Sequence, residues 1–193
     1  MTILAATRLE ERAVRRELKN ANVRIVRSGV GRGGAFDDEV ISCGLAGGLR
    51  RDVAGGTVVV ADAIEHSNGK RMACDAALVA KLADAANALG FPLLVAPLLT
   101  SATLVRANAR EEWAARGFAA VDMESGLIDA PHVAAVRVIL DSPERELSEG
   151  WLQPLSFFYR PKMWAELPWL ATTAPKFARR AAQVVARALL SMP

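Results

Sequence analysis

Residues 133–140 read Val-Ala-Ala-Val-Arg-Val-Ile-Leu, a β-forming run that is apolar on both faces of an extended chain. Two other runs share the property, Val-Val-Val-Ala at 58–61 and Leu-Leu-Val-Ala-Pro-Leu-Leu at 93–99. A strand that is apolar on both faces belongs in a sheet covered by helices on both sides. Working outward, short β-rich runs alternate with helical patterns. Strands are expected at 3–7, 23–28, 39–43, 57–61, 93–99, 118–122 and 133–140. Helices are expected at 10–20, 75–89, 106–116 and 174–190, with a short one from Glu124. Gly90 closes the second helix. This alternation predicts an α/β three-layer sandwich around a mostly parallel, twisted central sheet, in a single domain spanning 1–193.

Composition narrows the class. At 193 residues, 52% apolar and 23% charged, the chain holds one full core and is neither disordered nor low-complexity. The longest apolar stretch, Phe91 to Leu99, contains two prolines and falls short of the ~20 residues of a membrane span. The first residues carry charges from Arg8 onward, unlike a secretory signal. Cys43 and Cys74 read as buried small residues in a reducing compartment, so a cytoplasmic protein is expected. The net charge of +3 comes from interleaved cations and acids, which argues against nucleic acid as a partner. His66 and His132 are not at ligand spacing, and no metal is expected.

Ligands of open α/β sheets bind beyond the carboxyl ends of the strands. There the chain places Glu10 and Glu11, the Gly29–Gly34 cluster, Gly44-Leu45-Ala46-Gly47-Gly48, Asp62, Thr100 to Thr103, Asp122-Met123-Glu124, and Asp141. Acidic groups beside glycine-rich turns suit a small, hydroxyl-bearing ligand. Gly29-Val30-Gly31-Arg32-Gly33-Gly34 matches a dinucleotide fingerprint. Only Ala35 to Asp38 separate it from the next strand, too few residues for the helix that fingerprint opens, so an oxidoreductase is set aside.

Four segments together resemble the nucleoside phosphorylase and methylthioadenosine nucleosidase superfamily, in that family's order. They are Ser28-Gly29-Val30-Gly31, Cys43-Gly44-Leu45-Ala46-Gly47-Gly48-Leu49, Val121-Asp122-Met123-Glu124-Ser125, and Val136-Arg137-Val138-Ile139-Leu140-Asp141-Ser142. Residues 136–147, with Tyr159-Arg160-Pro161 and Leu167-Pro168, further resemble the hopanoid-associated branch, which is linked to removal of adenine from adenosylhopane. The resemblance implies a pared-down nucleoside phosphorylase-like fold and cleavage of the N-glycosidic bond of a purine nucleoside, with no cofactor.

By that resemblance Asp141 protonates the departing purine, which is a poor leaving group until it gains a proton. Glu124 binds the ribose hydroxyls and Met123 packs beneath the sugar. Asp122 stands where relatives carry a longer glutamate. Glu11, with Glu10 close behind, is the base for an attacking water. Backbone at Leu45, Ala46 and Gly47 lies near sugar and base, and Thr103 or Leu104 replaces an aromatic base contact. Phosphorolysis remains the alternative, with inorganic phosphate as co-substrate held by Arg32 and Gly31. A nucleoside-binding protein without chemistry is a further one. Hydrolysis is favoured because the family's N-terminal phosphate loop is missing. The trimmed 19–42 region opens the sugar's 5′ side to a bulky substituent. The aromatic group Trp151, Phe157, Phe158, Tyr159, Trp164 and Trp169 either lines that side or packs an interface. Relatives pair through the sheet's helical face, so a homodimer is the default.

Overall fold

The computed structural model describes residues 1–148 and 161–190. The chain runs β1 (Thr2–Ala5), α1 (Arg8–Glu17), β2 (Arg24–Arg27), β3 (Gly34–Ala35), β4 (Val40–Gly48), β5 (Val58–Val60), β6 (Ala63–His66) and β7 (Arg71–Ala73). It continues through α2 (Ala76–Ala88), β8 (Leu93–Val95), β9 (Leu98–Thr100), α3 (Asn108–Ala115), β10 (Ala120–Asp122), β11 (Ile128–Asp129), β12 (Val133–Asp141) and α4 (Pro161–Leu190). The main sheet is mostly parallel and follows the order β7-β6-β9-β10-β4-β12-β5-β8, with β1 and β2 branching from β4.

The doubly apolar run at 133–140 forms β12, which lies at the sheet's centre, buried along most of its length between β4 and β5. Its partner β4 is longer than the sequence suggested. The glycine-rich stretch 44–48, expected as a turn, continues the strand, because β12 pairs with one edge throughout while β1 and then β10 pair with the other. Strand neighbours on both edges override the poor β-propensity of glycine.

The run 93–99 is two strands, not one. Pro97 interrupts it; β8 pairs with β5, and β9 pairs with β6 and β10. The sheet therefore curls, carrying the same two chain segments from beside β12 round to beside β10. A β6–β7 hairpin was not anticipated.

Helices α1, α2 and α4 cover one face through Val14, Leu78, Leu82, Ala181 and Val185, packed on Ile3, Ile41 and Val136. Leu4, Val59, Ile64, Leu98 and Ile139 fill a second core. Under α3, Trp113 meets Phe118 edge-on at 5.4 Å. Helix α4 starts thirteen residues before the expected 174, with Pro168 and Pro175 inside it. The thiols of Cys43 and Cys74 are buried and pushed up to about 12 by that burial, so they are inert packing groups. Trp151, Phe157, Phe158 and Tyr159 lie outside the described residues, as does the side chain of Trp164.

Candidate active site

The first carboxylate is fixed by a helix start. Thr7-Arg8-Leu9-Glu10 forms a capping box. The Glu10 N–H donates to Thr7 Oγ1 at 3.3 Å, and the Thr7 N–H donates back to Glu10 Oε2 at 2.8 Å. This turns Glu10 inward, where it is 5% exposed and its Oε1 accepts the Leu45 N–H at 2.8 Å. A Cβ on Gly44 would stand 2.3 Å from that oxygen, so glycine is what lets the carboxylate lie against β4. Glu11 turns the other way, onto Arg15 at 3.0 Å and Arg27 at 3.3 Å. The structure thus brings Glu10, not Glu11, to the glycine segment.

Behind Glu10 lies a buried polar cluster around Arg137. Its Nε and Nη2 donate to Asp122 Oδ2 at 2.9 and 2.8 Å, and Nη2 also reaches Ser42 Oγ at 2.7 Å and Ser125 Oγ at 2.9 Å. Thr100 Oγ1 donates to Asp122 Oδ1 at 2.7 Å. Asp122 is therefore consumed by Arg137, Thr100 and the Ser125 N–H, and it holds the cluster rather than presenting a carboxylate to a sugar. Burial alone would pull the Arg137 guanidinium down, but Asp122, Glu124 and Glu10 together hold it above its ordinary value. Replacing one partner of a buried ion pair strands the others. Arg137→Met is expected to cost about 3–5 kcal/mol of stability, read as a melting temperature lower by roughly 10 °C. An unchanged melting temperature would show the cluster to be energetically neutral.

Glu124 follows β10, 7% exposed. Its Oε1 accepts the Gly31 N–H at 3.1 Å, which ties the loop after β2 to the site. Burial raises its carboxyl above the usual range, against the pull of Arg137 and with a push from Asp122. The folded protein therefore holds this proton more tightly than the unfolded chain. Its contribution is fully present below the unfolded value near 4.5 and is lost as pH rises through the folded value. Glu124→Gln removes that loss. The variant's melting temperature relative to the parent should rise as pH climbs from acid toward neutrality, and a pH-independent difference would contradict this.

Asp141 ends β12. The register slips between Ile139, opposite Ala46, and Asp141, opposite Gly47. Such a bulge re-aims the residue beyond it, and a Cβ on Gly47 would lie 3.1 Å from Asp141 Oδ1. Oδ2 accepts from Arg110 Nη2 and from the Leu147 N–H at 3.3 Å. Arg110, 3% exposed, also donates to Gly48 O at 2.6 Å and Val105 O at 3.0 Å, and lies 3.2 Å from Glu146.

A small cleft of about 50 Å³ gathers Gly47, Thr103, Leu104, Asp122, Met123 and Asp141 from separate strand ends, together with Arg110. Ala46 instead packs in the core, and Leu45 contributes its backbone N–H to Glu10. Arg32 is exposed and reaches the site through its neighbour Gly31 alone. Sequence reasoning gave no role to Thr7, Arg110 or Arg137. A charged residue inside an apolar strand was the available signal for Arg137. Arg110 had none, being 31 positions from its partner. Among the described residues no group of His, Cys, Asp and Glu could hold a metal ion, and no helix is long and apolar enough to cross a membrane.

The curled, mostly parallel sheet flanked by helices defines an α/β architecture with acidic side chains at its strand ends. Residues 5–128 match the Phosphorylase superfamily, and the chain belongs to it. No curated protein matches the chain. Among solved structures it is similar to 5′-methylthioadenosine/S-adenosylhomocysteine nucleosidase from Neisseria meningitidis, in complex with methylthio-immucillin-A. The identity there is 16%, the TM-score 0.73, and 99% of this chain and 98% of that one are covered. It is also similar to native futalosine hydrolase of Helicobacter pylori, at 15% identity and a TM-score of 0.70, covering 99% and 97%. A putative nucleosidase of the first kind from Francisella philomiragia has 17% identity and a TM-score of 0.70, covering 99% and 98%. At these identities the likeness is one of fold.

Proposed function

We propose that the protein is a purine nucleosidase, cleaving the N-glycosidic bond with water and releasing the free base. One observation carries the reading. Two buried carboxylates, Glu10 and Asp141, are held against the same strand, Glu10 by the Leu45 N–H and Asp141 beside Gly47. Glu10 takes the proton of the water, and Asp141 delivers one to the purine as the bond breaks. Glu124, beside the Gly31 loop, accepts the ribose hydroxyls, and its charge favours the developing oxocarbenium ion. Met123 lies under the sugar, and Thr103 and Leu104 face the base.

Water is favoured over phosphate because Glu10 places negative charge where the nucleophile must stand. An anion there would be repelled, and Arg32 is exposed. A bulky 5′ substituent, as in adenosylhopane, is supported by Val30 and Leu127, apolar side chains 50% and 38% exposed, on the loops where Gly33 meets the Leu127 carbonyl. Binding without chemistry is favoured by one feature, the Arg110 clamp on Asp141, which the incoming base must displace for proton transfer. The test is free-base release from methylthioadenosine, adenosine and inosine in phosphate-free buffer. Release that added phosphate does not accelerate supports a nucleosidase. Release that requires phosphate makes it a phosphorylase, and tight binding with no release from any nucleoside supports the binding-only reading.

A further inference from the structure

On one face of the sheet, α1 and α4 pack together and carry an uneven charge. Arg8, Arg12 and Arg16 are exposed at i, i+4 and i+8 of α1, so they line one side of that helix over roughly 12 Å. Arg16 then meets Lys176, Arg179 and Arg180 of α4 around a groove of about 410 Å³ floored by Phe91. Glu17 reaches Arg179 at 2.8 Å. Among the described residues Arg8, Arg12, Arg16 and Lys176 have no acidic partner within 4.0 Å. The chain's net charge is only +3, so six cations on this side leave the remainder of the molecule acidic overall.

The groove is built, not incidental. Arg180 stacks over Phe91 at 4.7 Å and lies 5.6 Å from the Phe177 ring, and its Nη1 donates to the Gly56 carbonyl. Gly56 has φ +87, and a Cβ there would stand 3.0 Å from both Arg180 Nη1 and Phe177. Glycine at 56 therefore permits the seat on which this guanidinium is held.

We propose that the α1–α4 side is a docking surface for an anionic membrane, with lipid phosphate groups seated along Arg8, Arg12 and Arg16 and in the groove. Charge complementarity selects this occupant. The cations extend well beyond the groove, farther than one soluble phosphate can span, whereas a lipid surface presents phosphates throughout. Single-stranded nucleic acid requires open aromatic faces on which bases stack, and Phe91 is already covered by Arg180. Attachment by this surface is electrostatic, reversible and sensitive to salt.

The test is co-sedimentation of the full chain with phosphatidylcholine vesicles, with and without phosphatidylglycerol. Pelleting is expected only with phosphatidylglycerol, and about 0.5 M salt should reverse it. The triple variant Arg12→Gln, Arg16→Gln, Lys176→Gln should bind those vesicles about a hundredfold more weakly, at an unchanged melting temperature because all three side chains are exposed. A control, Arg51→Gln with Lys70→Gln, should pellet like the parent. Equal pelleting with both vesicle types would overturn the proposal. So would full retention by the triple variant, or a short single-stranded RNA binding more tightly than the vesicles.

Discussion

Asp141→Asn is expected to lower kcat about 10²- to 10⁴-fold, with KM within a few-fold of the parent. This is the usual contribution of a placed general acid. The expectation rests on where the β12 bulge puts the side chain, opposite Gly47 and in the cleft with Thr103, Leu104 and Met123. Asparagine keeps the shape and can still accept the Leu147 N–H, but it has no proton to deliver to the purine. Arg110 retains Glu146 and the carbonyls of Gly48 and Val105, so the fold should survive. Circular dichroism and melting would confirm this. A variant that folds normally and keeps full activity would remove Asp141 from the chemistry.

The second large effect separates two neighbours. Glu10→Gln should reduce kcat by a comparable 10²- to 10⁴-fold, because the amide cannot take a proton from water. It should also cost about 1–3 kcal/mol of stability. The new NH₂ must face either the Leu45 or the Thr7 N–H, donor against donor, in a buried place. Glu11→Gln removes only solvent-exposed ion pairs to Arg15 and Arg27, worth less than about 1 kcal/mol, and its kcat should stay within two- to threefold of the parent. The kcat values of the two variants, measured side by side, check the assignment. Full activity in Glu10→Gln with loss in Glu11→Gln would reverse it.

That contrast also shows how far the sequence could be read. The signal that turns Glu10 inward was present, since Thr7-x-x-Glu10 is a capping-box pattern and the box points its glutamate back along the chain. Preferring Glu11 to its neighbour overlooked it. The doubly apolar character of residues 58–61, 93–99 and 133–140 led to the right kind of sheet, because burial on both faces leaves a compositional trace. The extension of β4 through Gly48 left none. Glycines at 44, 47 and 48 look like a turn until β12, β1 and β10 are in place to hold them. Asp122 was legible as a strand-end acid, but its commitment to Arg137 and Thr100 depends on side chains from β12 and β9. The Arg110 clamp on Asp141 joins a helix to a strand end across the fold, a contact that local pattern cannot anticipate.

Water attack on the sugar carbon, with Asp141 protonating the departing purine, is tested by single turnover in oxygen-18-labelled water with inorganic phosphate present. The expected products are free base and a sugar carrying the label on its anomeric hydroxyl, in equal amounts and at a rate independent of phosphate. An unlabelled sugar 1-phosphate as the product would contradict it.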